Sequence, residues 1–310
     1  MDYTAVGCSW LPLTMIWDWW ESFDAAVYGR PQILMSPMSS FLQRPSRWLQ
    51  TISKYRVTTS GGPNFSYQLC VDKVTEEEMK GLDLSSWSVC IQWGRARPLA
   101  STLKGFSNKF ASVGFRHESH LPCYGMAETT LIVTGGPAKL PPIIHSFDSL
   151  ALDARLVQRL SANHPRGREL VGCGRNSSQR KDLDCRSAIA CHSRRRQDRR
   201  NLDSEPECGE LGYWEKSVET QDTFKSMTRD GQGPFLRTGD LGFFDADQLF
   251  VAGRVKDLII VRSVNRYPQD IEQTVEECHE SVPSSAAATF ADTTGTREKL
   301  IIAVESRRKS

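Results

Sequence analysis

Pro45-Ser46-Arg47-Trp48-Leu49-Gln50-Thr51-Ile52-Ser53-Lys54-Tyr55-Arg56-Val57-Thr58-Thr59-Ser60-Gly61-Gly62-Pro63 reads as a helix followed at once by a strand. Pro45 carries a φ already set for a first helical turn. Trp48, Leu49, Ile52 and Tyr55 then fall on one stripe at helical spacing. Val57-Thr58-Thr59 is β-branched, and Gly61-Gly62-Pro63 reads as the turn that closes the strand. The same alternation extends to both sides. Ile33-Leu34-Met35 reads as a buried strand ended by Ser36-Pro37, and Trp87 to Ile91 as another. Pro98 precedes a helix with Leu103, Phe106 and Phe110 inward. Strands alternating with helices imply an α/β fold.

The whole chain has 310 residues, enough for one large core or two unequal domains. A hydrophobic content of 39% and a mean hydropathy of -0.42 exclude both a membrane bundle and a fully disordered chain. No run reaches the roughly 18 apolar residues of a membrane span. The first residues place an acid before apolar residues, unlike a secretion signal. Thirty-nine bases against 37 acids leave a net charge of +2, so no global field points to nucleic acid. Nine cysteines without a CxxC pair fit a reducing cytoplasm better than a disulfide framework.

From Arg166 to Glu207 the pattern changes. Eleven bases and four acids lie between Arg166 and Arg200, with few large apolar residues and no period. This stretch, 166–207, reads as a disordered basic linker. Periodicity returns near Phe235. Leu249-Phe250-Val251 and Leu258-Ile259-Ile260-Val261 read as strands flanking Gly253-Arg254. Pro268 opens a helix with Ile271, Val275 and Cys278 inward, and Leu300 to Val304 reads as one more strand. No helix follows to cover that strand, so the small C-terminal domain is expected to be truncated.

Three constellations carry chemistry. In Cys123-Tyr124-Gly125-Met126-Ala127-Glu128-Thr129, a flexible glycine separates a ring that can stack on a base from a carboxylate that can hold magnesium. The plainer reading is a strand-to-helix turn with a capping acid. In Arg237-Thr238-Gly239-Asp240-Leu241-Gly242, Asp240 offers two acceptor oxygens to a ribose, or is simply a turn aspartate. In Gly253-Arg254-Val255-Lys256-Asp257-Leu258, Arg254 can fork onto ribose or phosphate oxygens and the charged turn can serve as a hinge. The plainer reading is a solvated hairpin.

Taken in order, these segments resemble the adenylate-forming superfamily of acyl-CoA synthetases, peptide-synthetase adenylation domains and luciferases. Thr58 to Phe65, Phe41-Leu42-Gln43-Arg44-Pro45 and Asn265-Arg266-Tyr267-Pro268-Gln269-Asp270-Ile271-Glu272 are similar to its fatty acyl-AMP ligase branch. The resemblance implies an α/β fold: the C-terminal part of a large adenylation domain at 1–252, a hinge at 253–257 and a truncated small α+β domain at 258–310. It implies that a fatty carboxylate attacks the α-phosphorus of ATP, and that the acyl group then passes to the phosphopantetheine thiol of an acyl carrier protein. By position, Tyr124 would pack on adenine with Gly125 also in the cofactor site, Glu128 would ligate Mg2+ and act in catalysis, and Asp240 would hold the ribose. Arg254 would contact ribose or phosphate, Lys256 would act in catalysis from the hinge where the small domain swings between half-reactions, and Gly62 with Phe65 would border the acyl and nucleotide pockets. A cytoplasmic location, with neither nucleic acid nor a transmembrane segment, goes with that reading. The alternatives are a non-enzymatic remnant that still binds nucleotide or carrier protein, and a long-chain acyl-CoA synthetase.

Several departures from the family pattern stand out. Its phosphate-cradling loop ending in lysine is missing, and so is the lysine near the end of its small domain. Losing one positioned donor can raise a barrier by about 2.7–4 kcal/mol, so losing two is expected to abolish turnover. After Ser9-Trp10-Leu11-Pro12-Leu13 the family reads His-Asp-Met-Gly-Leu, whereas this chain reads Thr14-Met15-Ile16-Trp17-Asp18-Trp19-Trp20-Glu21-Ser22. Removing one base from a codon spelling of the former yields the latter. The plainer reading, a buried aromatic cluster, conflicts with adjacent Trp19 and Trp20, which cannot share a helix face. A one-base shift likewise turns Asn-Gly-Ala-Glu-Pro-Val-Arg into Gln92-Trp93-Gly94-Arg95-Ala96-Arg97-Pro98. Gly209 to Trp214 reads as Gly-Glu and Gly-Tyr-Trp motifs joined by deletion, and Ser263 replaces a usual glycine. Cys185, Cys191, His192 and Cys208 match no standard zinc spacing. The arginine clusters lack the aromatic platform of a nucleic-acid site. On this reading the 310-residue chain forms no acyl-hydroxamate from fatty acid and ATP. Sustained, ATP-dependent hydroxamate formation in a colorimetric assay would show that expectation to be wrong.

Overall fold

The computed structural model describes residues 5–12, 30–35, 38–93, 98–129, 132–154, 156–176, 190–191, 212–227, 234–261, 264–279, 281–283, 286–292 and 299–306. The altered readings at 14–22 and 94–97, Ser263, and Cys185, His192 and Cys208 lie outside the described residues.

Strand and helix alternate as their residue pattern requires. The strands β1 (Gly7–Ser9), β2 (Gln32–Leu34), β3 (Thr59–Gly62), β4 (Val89–Gln92) and β5 (His120–Gly125) form a parallel set in the order β5-β4-β3-β1-β2. Antiparallel to β5 lies β6 (Ile132–Gly135). A second sheet centres on β7 (Ile144–Asp148), with β8 (Arg159–Leu160) and β9 (Gly167–Val171) antiparallel on either side. The chain then returns through β10 (Arg175–Asn176) to the free edge of β6. A third sheet joins β11 (Ala190–Cys191), β12 (Asp240–Asp245) and β13 (Gln248–Arg254). Backbone bonds from Cys173 N to Leu249 O (2.8 Å) and from Leu249 N to Gly174 O (3.0 Å) stitch it to the first two. Two hairpins follow, β14 (Ile259–Val261) with β15 (Val264–Arg266), and β16 (Ala287–Asp292) with β17 (Lys299–Val304). The helices are α1 (Ser39–Gln43), α2 (Ser46–Lys54), α3 (Asn64–Lys73), α4 (Glu76–Met79), α5 (Ala100–Phe110), α6 (Ser149–Asp153), α7 (Ser217–Phe224) and α8 (Pro268–Glu277). Among the described residues no helix is long and apolar enough to cross a membrane.

The largest core lies between the parallel sheet and α2, α3 and α5. Trp48, Leu49 and Ile52 are fully buried there with Trp10, Phe41, Tyr67, Trp87 and Phe106. Trp48 meets Trp87 edge to face at 5.1 Å, and its indole donates to Ser60 Oγ at 2.9 Å. That polar partner lets so large a ring be buried without an orphaned N–H. Truncating Trp48 to alanine would cost about 3–5 kcal/mol. Tyr55, expected on the same stripe, is 48% exposed because the helix ends at Lys54. Arg56, at φ 52°, turns the chain toward β3.

Gly61 and Gly62 are not a turn but the last half of β3. A Cβ on Gly61 would stand 2.4 Å from Ile91 O and 2.3 Å from the Trp93 ring, and one on Gly62 would stand 2.5 Å from Ser66 Oγ. These glycines serve close packing, since no side chain fits between the neighbours. The Ile33 strand proves to be an edge, with Leu34 48% exposed. The basic stretch also differs from expectation. Gly167–Val171 pairs along the whole of β7, because alternating Arg168, Leu170 and their neighbours fit a half-buried strand. Cys278 lies exposed at the end of α8, while Ile271 and Val275 are half-buried.

His120 begins β5 in the core, with 1% exposure. Its Nδ1 lies 3.1 Å from Gln92 Nε2, and its Nε2 lies 3.0 Å from Ser107 Oγ. Burial, helped by nearby His117, pushes its pKa down to about 3. The unfolded chain therefore binds a proton that the folded chain refuses once pH falls below about 6.5. Stability should fall with decreasing pH from that point toward pH 3, by up to about 1.4 kcal/mol per pH unit. Urea unfolding across that range should show a shallower slope for His120→Gln than for the natural chain. Equal slopes would remove His120 as the cause.

Candidate functional site

The end of β5, the start of β12 and the end of β13 converge on one carboxylate. Tyr124 sits at an irregularity between Tyr124 and Gly125 in the β5–β6 ladder. Its phenol donates to Asp240 Oδ2 at 2.7 Å, across 116 residues of chain. Arg254 Nε donates to the other oxygen, Oδ1, at 2.8 Å. Asp240 and Arg254 stand directly opposite each other in the antiparallel register of β12 and β13. An opposite-charge pair in that position is a favourable cross-strand contact. Both side chains are mostly covered, at 13% exposure for Asp240 and 24% for Arg254.

Local sequence builds the corner around Asp240. Gly239 adopts φ +75°, a left-handed conformation that suits glycine. Thr238 Oγ1 accepts from Asp240 N at 3.1 Å, and Gly239 O accepts from Val255 N at 2.9 Å. The second bond ties the Asp240 turn to the turn after β13. A carboxylate offers about four lone-pair positions, so two protein donors leave room for two further hydroxyl donors.

The other expected residues distribute unevenly. The Tyr124 ring, expected to present a stacking face, is buried with Val133, Cys173, Leu249 and Val251. Gly125 lies at the ladder irregularity beside it. Glu128 sits on a short turn after β5, half-buried, and its Oε1 accepts from Tyr213 Oη at 2.8 Å. Gly62 is buried against Trp10 and Ser66, inside the large core and apart from Asp240. Phe65 is 40% exposed and stands edge-on to Trp10 at 6.1 Å. Lys256 is exposed in the turn after β13.

Tyr213 is the partner that sequence reading missed. Its backbone N–H is held by Thr220 Oγ1 at 2.9 Å, and its ring stands against Phe224 at 5.2 Å. Helix α7 therefore aims the tyrosine at Glu128. The only local sign is Gly212, at φ +63°, packed so closely on Thr220 that a Cβ would lie 2.0 Å from it. Among the described residues no three His, Cys, Asp or Glu side chains gather to hold a metal. Glu128 thus offers one carboxylate, which suits a magnesium ion that takes its other ligands from phosphate and water.

A family model described as AMP-binding enzyme matches residues 1–149, a span that includes Tyr124 and Glu128. A medium-chain-fatty-acid–[acyl-carrier-protein] ligase, JamA of Moorena producens, is 38% identical over 290 residues, covering 90% of this chain and 47% of its own length. A putative fatty-acid–CoA ligase, fadD21 of Mycobacterium leprae, is 34% identical over 324 residues, covering 100% of this chain and 52% of its own. The crystal structure of a fatty acyl-adenylate ligase from Legionella pneumophila, in complex with acyl adenylate and pyrophosphate, aligns with a TM-score of 0.73. It shares 33% identity and covers 99% of this chain and 54% of that one. The chain spans about half the length of the curated relatives it matches.

The Tyr124–Asp240 bond should be measurable without any ligand. Tyr124→Phe leaves one oxygen of a mostly buried carboxylate without its donor, and a destabilisation of about 1–3 kcal/mol is expected in urea unfolding. A double-mutant cycle with Asp240→Asn should return a coupling energy of about 1 kcal/mol, whereas additive losses would mean that the two groups act separately.

Proposed function

The chain belongs to the AMP-binding, adenylate-forming family, and from that membership we propose that it is part of a fatty acyl-AMP ligase whose nucleotide is held at Asp240. The observation that carries this reading is the meeting of Tyr124, Asp240 and Arg254, three residues from separate motifs, at one carboxylate. Residues 1–252 then form part of the large domain, 253–257 the hinge and 258–310 part of the small domain.

In the first half-reaction a fatty carboxylate oxygen attacks the α-phosphorus of ATP, and the bond to the pyrophosphate oxygen breaks. Acyl-AMP and pyrophosphate result. In the second, a phosphopantetheine thiol of an acyl carrier protein attacks the acyl carbonyl, loses its proton, and AMP leaves. Asp240 accepts the ribose hydroxyls on its remaining lone pairs. Arg254 holds Asp240 in place through Nε, and its guanidinium would contact ribose or phosphate oxygens. Glu128, oriented by Tyr213, is the residue that would hold Mg2+, which when bound supplies positive charge to the phosphates. Tyr124 fixes the carboxylate and borders the adenine with Gly125, and Lys256 lies on the hinge turn. The name of JamA favours a carrier-protein thiol as acceptor, and that of fadD21 favours coenzyme A. The fatty acyl-adenylate ligase structure, with its acyl adenylate and pyrophosphate, supports the first half-reaction.

Isothermal titration of the chain with AMP, and with ATP and magnesium, tests the nucleotide site. Asp240→Ala should weaken binding about tenfold or more, a loss of about 1.4 kcal/mol. Lys256→Ala, an exposed change, should leave AMP binding within about twofold. AMP binding that ignores Asp240→Ala, or salt-sensitive RNA binding in its place, would overturn the proposal.

A further inference from the structure

Arg168 is a charged side chain in the covered interior, 7% exposed, on β9. Groups from β13, from α8 and from Tyr267 just before α8 surround its guanidinium. Nη2 donates to Ala252 O in β13 at 2.8 Å. Nη1 lies 3.1 Å from Asp270 Oδ2 in the first turn of α8. The guanidinium carbon stands 4.2 Å from the centroid of the Tyr267 ring, a stacked cation–π arrangement. Tyr267 in turn covers Gly253 so closely that a Cβ there would lie 2.5 Å from the ring. One side chain therefore touches the strand just before residue 253 and the helix just after residue 266.

An apolar cluster of Leu241, Ala252 and Tyr267, with Leu258 packed against it, shares this joint. Beside Arg168 opens a cleft of about 870 Å3, lined by Ser101, Glu169, Gln273 and Thr274 among others. Across it, Arg266 Nη1 donates to Asp153 Oδ2 at 3.0 Å, but Arg266 is 45% exposed, so that pair is partly screened by water. The contacts of Arg168 are the buried polar part of the joint. A buried arginine with its partners removed is costly, so these contacts are held together as a set.

We propose that Arg168 is a positioning residue that clamps the 252–254 corner and docks α8 with the same guanidinium. The aim of Arg254 at Asp240 and the seating of the C-terminal segment then share one side chain as a common support. The docking half stands on geometry alone, and the positioning half rests on the reading of Asp240 as the nucleotide site.

Hydrogen–deuterium exchange on the full chain, paired with AMP titration, separates the two halves. Arg168→Met should speed exchange about tenfold in both 252–258 and 268–277, and should weaken AMP binding about fivefold. Asp270→Asn removes only the helix contact, so exchange should rise in 268–277 alone, with AMP affinity within about twofold. Arg168→Lys, which keeps a donor but loses the planar fork, should fall between Met and the natural residue. Unchanged exchange in 268–277 for both Arg168→Met and Asp270→Asn overturns the clamp. If Arg168→Met loosens α2 as well, the fold has failed generally, and Asp270→Asn alone decides the docking half. A natural chain that binds no AMP overturns the nucleotide reading and the positioning half with it, while the exchange data still decide docking. Normal AMP binding with loosened exchange in Arg168→Met overturns the positioning half only.

Discussion

The carboxylate of Asp240 is the constraint on which the arrangement around it depends. A mostly buried negative charge is tolerated only when donors satisfy it. Tyr124 and Arg254 satisfy one oxygen each. Tyr124 ends a strand of the parallel sheet, and Arg254 ends the last strand of the β12–β13 pair. The carboxylate thus joins two sheets formed by residues more than a hundred positions apart. Displacement of either strand end leaves one carboxylate oxygen without its protein donor in a covered place.

Rigidity behind that corner comes from aromatic packing. Trp48, Tyr67, Trp87 and Phe106 interlock mostly edge to face and seat the helices on the parallel sheet. Gly61 and Gly62 allow β3 to pass beneath Trp93 and Trp10 without steric conflict. The sheet can therefore carry β5, and with it Tyr124 and Glu128, in a fixed register. Glu128 gains a second fixed point from Tyr213, which α7 holds in place. The functional groups are thus mounted on strand ends and short turns, while the bulk of the apolar surface is spent holding those ends still.

The two arginines near β13 divide the work. Arg254 faces the Asp240 corner, and Arg168 reaches the carbonyl of Ala252 two residues earlier. Strand β13 is gripped at both places, one side by a carboxylate and the other by a guanidinium. Beyond it the charged turn at residues 255–257 is exposed.

Much was legible from residue order. Alternating β-branched and stripe-patterned segments determined an α/β fold, since side-chain period reports backbone form directly. The motifs around Tyr124, Asp240 and Arg254 were visible as chemistry because glycine beside a carboxylate or an arginine is a local pattern. Three kinds of fact were decided only by tertiary structure. Gly61-Gly62 looked like a turn and is strand, because the reason for glycine is a neighbour from residues 91–93 that local sequence does not show. Residues 167–171 looked like linker and form β9, because their partner β7 supplies the order that composition lacks. The partners of Tyr213 and Arg168 carried no visible signal, since what a side chain meets across eighty residues is set by how sheets and helices close on one another. Sequence by itself determined the alternation of strands and helices around the main sheet and which residues bear reactive groups. Tertiary structure alone decided which of those groups share a carboxylate, because hydrogen bonds depend on ångström distances that no spacing along the chain encodes.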